Sequence, residues 1–126
     1  MQTRGVTNYL SNEDKTDFKE ILNVIGEAGK QSMWKISDVD CFGEASEVLH
    51  QISDETEKIS GEDFYNIVSG VYQIIEGYFE AYKLNETESW ILIRSIRGYE
   101  FDIETKDEKL LKDIRNSFKD VRDLVY

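Results

Sequence analysis

Glu47, His50 and Asp54 stand at i, i+3 and i+7 in a stretch of helical apolar spacing, so their side chains could share one helix face. An imidazole with two carboxylates is a donor set that suits a divalent metal. The same residues also read as the solvated stripe of an amphipathic helix. No second histidine or cysteine is present to complete a zinc-type set. Cys41, the sole cysteine, would need an activating base to attack as a thiolate, and only His50 offers one. A strand position equally suits a cysteine acting as a small, inert hydrophobe. Asp38 and Asp40 flank Val39, a spacing that could hold Mg²⁺ or share a proton, or merely punctuate a strand end. Gly26 and Gly29 close a helix, with no following Lys-Ser/Thr for a phosphate loop, and Gly70 and Gly77 lie too far apart for a dinucleotide fingerprint. These residue types predict a chain without catalysis, cofactor or resident metal.

The residues fit binding better. If 71–83 is a strand, one face shows Tyr72, Ile74, Glu76, Tyr78, Glu80 and Tyr82. Tyrosines interleaved with carboxylates supply rigid contact area and electrostatic specificity. An ordinary sheet face covered by a helix would read the same way. Charge adds a second signal. Residues 1–37 hold five acids and five bases, and residues 90–126 hold eight of each. Residues 38–89 hold thirteen acids against Lys58 and Lys83, which accounts for the whole formal net charge of −11. Glu44, Glu47, Asp54, Glu55, Glu57 and Glu62 make this segment an expected contact for a basic protein partner, or else the solvated faces of two short helices.

The elements that position these residues follow from periodicity. Residues 1–10 read as a loose N-terminal arm or short lead-in to a single domain spanning 1–126. Ser11 can cap a helix whose Phe18, Ile21, Leu22 and Ile25 form one face, ended by Gly26 to Gly29. Met33 to Phe42 reads as a strand in which Trp34 and Ile36 alternate on one parity and Val39 and Cys41 on the other, predicting a bulge near Ser37-Asp38. Residues 44–52 read as a short helix with Ala45, Val48, Leu49 and Ile52 inward. Ser60 with Asp63 restarts helix, with Phe64, Ile67 and Val68 as its apolar face.

Residues 71–83 admit two readings. Phe64, Ile67, Val68, Val71, Ile75, Tyr78, Phe79 and Tyr82 would share a face of one long helix, but Gly70 and Gly77 would each cost it about 1 kcal/mol. The β-branched and aromatic content favours strand. A polar loop at 85–89 and the run Trp90 to Ile96 then complete a hairpin. Tyr99, Phe101 and Ile103 alternate with Glu100, Asp102 and Glu104 in a further strand. Thr105 with Glu108 reads as a capping box for a last helix carrying Leu110, Leu111, Ile114, Phe118 and Val121. The expected class is α+β: a mostly antiparallel sheet of about four strands (one near 33–42, a meander over 71–105) with helices packed on it.

Composition sets the remaining bounds. Hydrophobic content of 40% with 12% aromatics is too rich for a disordered acidic tail. Proline is absent, so turns must rely on Gly, Asn, Asp and Ser. Met1 to Leu10 has no apolar run like a secretion signal, and no 18-residue apolar stretch occurs, so the expectation is a cytoplasmic protein that engages no membrane. No basic stripe exists to release counterions, which argues against direct nucleic-acid binding. The oligomeric state is left open.

The runs Gln73-Ile74-Ile75-Glu76-Gly77-Tyr78-Phe79, Trp90-Ile91-Leu92-Ile93-Arg94-Ser95-Ile96 and Phe101-Asp102-Ile103-Glu104-Thr105 together resemble the C-terminal half of small bacterial toxin-immunity proteins. The likeness covers about a third of the chain and is one of pattern. It implies a small cytoplasmic α+β protein that plugs one cognate toxin domain and has no catalysis of its own. Two other functions fit the residues: an acidic nucleic-acid mimic that inhibits a nuclease, and a metal-dependent enzyme built on Glu47, His50 and Asp54.

Overall fold

The computed structural model describes residues 4–9, 18–43, 46–54, 58–96, 100–118 and 121–123. Strands β1 (Arg4–Tyr9), β2 (Met33–Gly43), β3 (Ile59–Ser60), β4 (Val71–Tyr82), β5 (Ile91–Ile96), β6 (Glu100–Thr105) and β7 (Val121–Asp123) form one seven-stranded sheet in the order β3-β2-β4-β5-β6-β1-β7. Every pairing is antiparallel. Helices α1 (Phe18–Ile25), α2 (Glu27–Lys30), α3 (Ser46–Asp54), α4 (Gly61–Ser69) and α5 (Glu108–Ser117) complete an α+β domain.

Hydrophobic alternation decides which face of the sheet is covered. Trp34, Ile36, Phe79, Ala81, Ile91, Ile93, Phe101 and Ile103 all point to one side and are buried there. Against them pack Phe18, Ile21, Leu22 and Ile25 of α1, Phe64 and Val68 of α4, and Leu110, Leu111 and Ile114 of α5. The centre is aromatic. Phe18 lies 4.5 Å from Phe79 and Trp34 lies 4.7 Å from Phe64, ring centroid to centroid. The α3 helix lies against β2 and sends Leu49 into the same core. No helix among the described residues is long and apolar enough to cross a membrane.

The two expected irregularities of β2 and α4 are present. The pairing of β2 with β4 shifts between Ser37 and Asp40, and Asp38 takes φ 51°, so the chain crosses parity and returns Val39 and Cys41 to the core. The Ser60 hydroxyl accepts from the Asp63 amide and caps α4. Residues 71–82 are strand, not a continuation of α4, which stops at Ser69. Gly77 is required there, since a Cβ would meet the Phe79 ring at 2.8 Å.

Several expectations are corrected. Residues 4–9 are not a loose arm. They form β1, inserted between β6 and β7 with Val6 opposite Ile103. The sheet has seven strands instead of about four because β1, β3 and β7 are added at its margins. Val48, expected inward, is 46% exposed, and the helix runs over Ser46–Asp54. Asp107, not Thr105, caps α5, its carboxylate accepting from the Leu110 amide. Thr105 is a buried strand residue whose hydroxyl donates to the Trp90 carbonyl at 2.6 Å and accepts from the Asp107 amide. The last helix ends at Ser117, and Val121 belongs to edge strand β7.

Candidate protein-binding face

The side chains of β4, β5 and β6 that alternate with the core-facing ones are exposed or half-buried, apart from buried Asp102. Cross-strand register dictates what stands on this face. One row runs Ser37, Tyr78, Arg94, Asp102, and the next runs Lys35, Glu80, Leu92, Glu104. Tyr78 is 40% exposed, Glu76 is exposed, and Glu80, Tyr82, Leu92 and Ile96 are half-buried. Arg94 is the central cation of this face. Its guanidinium lies 3.5 Å from Asp102 and 3.9 Å from Glu104, and 5.4 Å from the centre of the Tyr78 ring. Its Nε is buried without a hydrogen-bond partner. Asp102 is buried against it, so that charge is compensated within the sheet.

Two grooves flank this centre. A smaller one of about 290 Å³ runs between Asp38, Glu76, Tyr78 and Arg94. A larger one of about 430 Å³ lies towards the β4–β5 connection, lined by Glu80, Tyr82, Glu88, Trp90, Leu92 and Glu104, with Lys106 also on its wall. The Tyr82 hydroxyl donates to Glu80 Oε2 at 3.1 Å, and burial, followed by the Glu80 charge, pushes its pKa upward. Lys58 Nζ sits 3.8 Å from the centre of the same ring, a close cation–π contact. Trp90 is held by its indole N–H, which donates to Ser32 Oγ at 2.9 Å. The groove is therefore an aromatic, carboxylate-rich concavity with fixed walls.

The structure sorts the residues expected from sequence. It brings Glu76, Tyr78, Glu80 and Tyr82 onto one face. The face does not extend through Ile74, as the alternation had implied. β4 holds an extra residue where Asp40 pairs with Glu76 and Cys41 with Ile74, so Ile74 turns into the core. The Ser95 hydroxyl donates to the Ile74 carbonyl beside this irregularity. The side chain of Tyr72 lies outside the described residues, as do Glu44, Glu55, Glu57 and the side chain of Asp54. Glu47 and Glu62 are exposed on helix surfaces, and Glu62 stands in the first turn of α4, where a carboxylate favours the positive helix end.

Arg94, Asp102, Glu104, Leu92 and Lys58 belong to the site but were not singled out from sequence. The signal existed: Leu92, Arg94 and Ile96 alternate with buried Ile91, Ile93 and Ser95, and the acids of β6 alternate likewise. Their charges balance along the chain, which had marked them as scaffold.

Of the catalytic candidates, the Glu47, His50 and Asp54 set includes a side chain, that of Asp54, outside the described residues. Cys41 is buried facing the core, and burial, then the neighbouring Asp40, raise its thiol pKa, the opposite of what a nucleophile needs. Among the described residues no group of three or more His, Cys, Asp and Glu side chains could hold a metal ion. No family model, curated protein or solved structure matches the chain.

Proposed function

We propose that the protein is a non-enzymatic inhibitor that binds a basic partner through one face of its sheet, with a cytoplasmic toxin domain such as a nuclease as the partner class. The observation that carries this reading is the β4–β5–β6 face opposite the core, where exposed Tyr78 and half-buried Tyr82 stand among Glu76, Glu80 and Glu104. Tyrosine rings give contact area that loses little entropy on binding, and the surrounding carboxylates select a cationic surface. The resemblance to immunity proteins points the same way. The acids on α3 and α4 would add a long-range field that speeds encounter without making the central contacts.

Co-expression with candidate basic nuclease toxin domains, starting with any that a neighbouring gene encodes, tests the reading. The wild-type chain should restore growth, and a Tyr78→Ala/Glu80→Arg variant that keeps wild-type thermal stability should not. The purified pair should associate about tenfold or more slowly when salt rises from low to physiological strength. Rescue that survives the double substitution, or an on-rate indifferent to salt, would remove the sheet face as the binding surface.

A further inference from the structure

We infer that the larger groove is a receptor for a single cationic side chain, arginine or lysine, presented by the partner, and that Lys58 is the internal cation this side chain displaces from Tyr82. The inference rests on the proposed binding function and assigns its anchor point. Its first support is shape. A volume of about 430 Å³ exceeds what one long side chain needs, and the walls match such a chain along its length. Half-buried Leu92 and Trp90 suit the aliphatic stem, while Glu80 and Glu88 stand where a charged head would end. Lys106 offsets only part of that negative charge.

The second support is that Tyr82, on the wall of the groove, already seats a cation on its ring. Lys58 Nζ lies 3.8 Å from the Tyr82 ring centre, while the phenol hydroxyl is tied to Glu80. The hydrogen bond to a carboxylate enriches the ring in electron density and fixes its plane, which makes it a better cation receptor. Lys58 is itself exposed, so its ammonium can exchange from this contact into solvent. A guanidinium is more weakly hydrated than an ammonium and stacks on aromatic faces, so an incoming arginine should win the exchange. The third support is contrast. The Arg94 centre is already paired with Asp102 and Glu104, so the groove holds Glu80 and Glu88 as the acids outside that pairing.

Titration of the full chain with a capped tetra-arginine peptide, read by Trp90 fluorescence and backbone amide NMR shifts, tests the assignment. Shifts should concentrate at residues 80–92 and 104. Glu80→Gln/Glu88→Gln should weaken binding about fivefold, while Glu47→Gln/Glu62→Gln, the same charge change on helix surfaces, should alter it less than twofold. Lys58→Ala should tighten it about threefold. Equal losses for the two double variants, shifts spread over the helices, or a Lys58→Ala protein that binds no better would each overturn the receptor. A cognate toxin domain whose association ignores the groove variants but is lost with Tyr78→Ala would sink this inference and leave the wider binding function standing.

Discussion

Tyr65 offers a test in which one substitution should destabilise at neutral pH and do the opposite in alkali. Its hydroxyl donates to the Leu22 carbonyl at 3.0 Å and lies 3.3 Å from that of Gly26, tying α4 to the end of α1. It occupies the space that a side chain at residue 29 would need, which is why glycine stands there. Removing the hydroxyl as Tyr65→Phe loses one net hydrogen bond, about 1 kcal/mol. For a domain of this size that lowers Tm by roughly 3–5 °C at pH 8. Burial, and then the charge of Glu27, hold the Tyr65 pKa well above its ordinary 10.0. The unfolded chain therefore releases this proton first. The folded state binds more protons across that window, so stability is intact below the ordinary value and falls as pH rises past it. One unit above the ordinary value the wild type has lost about 1.4 kcal/mol from this residue, whereas phenylalanine loses nothing. The deficit of the variant should vanish near pH 10.7 and reverse by about pH 11. Urea unfolding of both proteins between pH 8 and 11 measures the difference directly, because all other tyrosines and lysines are shared. A difference that stays constant across this range would refute both the raised pKa and the burial assigned as its cause.

Two further outcomes follow from the packing. Gly61→Ala should cost about 2 kcal/mol, and so lower Tm by roughly 6–10 °C, because the new Cβ would overlap the Gly29 and Lys30 carbonyl oxygens and come within 2.6 Å of the Lys30 carbonyl carbon. Thermal melts that match wild type would show that the α2–α4 joint yields freely. A double-mutant cycle of Arg94→Met and Asp102→Asn, read by urea unfolding, should give a coupling of about 0.5–1 kcal/mol, modest because the arginine is a third exposed. Strictly additive effects would mean that the pair only shares a neighbourhood.

Much of the fold was legible where the information is local. The parity change from Trp34 and Ile36 to Val39 and Cys41 announced the β2 bulge, and Ser60 with Asp63 announced the start of α4. The long-helix reading of 71–83 failed for a reason that local propensity only hints at. β4 is hydrogen-bonded on both edges, by β2 and β5, and this satisfies its backbone better than an isolated helix turn could. β1 was invisible because its role depends on β6, almost a hundred residues away, and nothing in residues 4–9 alone marks the pairing of Val6 with Ile103. β3 and β7 are too short to carry a period. For the site, the alternation of Glu76, Tyr78, Glu80 and Tyr82 was readable in one strand. Their neighbours Leu92, Arg94 and Glu104 join them only through register, which no single stretch encodes.

The charge distribution shows why register outweighs chain order in defining this face. Along the sequence the negative excess belongs to residues 38–89, and the C-terminal strands are neutral. Across the sheet the division is different. Arg94 shares its charge between Asp102 and Glu104, both from the balanced segment, and so offsets half of the negative charge at the centre of the face. Glu80 and Glu88, from the acidic segment, stand in the groove beside that centre, next to Tyr82 and Trp90. Coulombic attraction on an open surface fades beyond about 10 Å in moderate salt. A docking cation is therefore governed by the few charges around its own seat, not by the −11 of the whole chain. It follows that charge changes on the helices should act mainly on how fast a partner arrives, and changes at Glu80 and Glu88 on how long it stays.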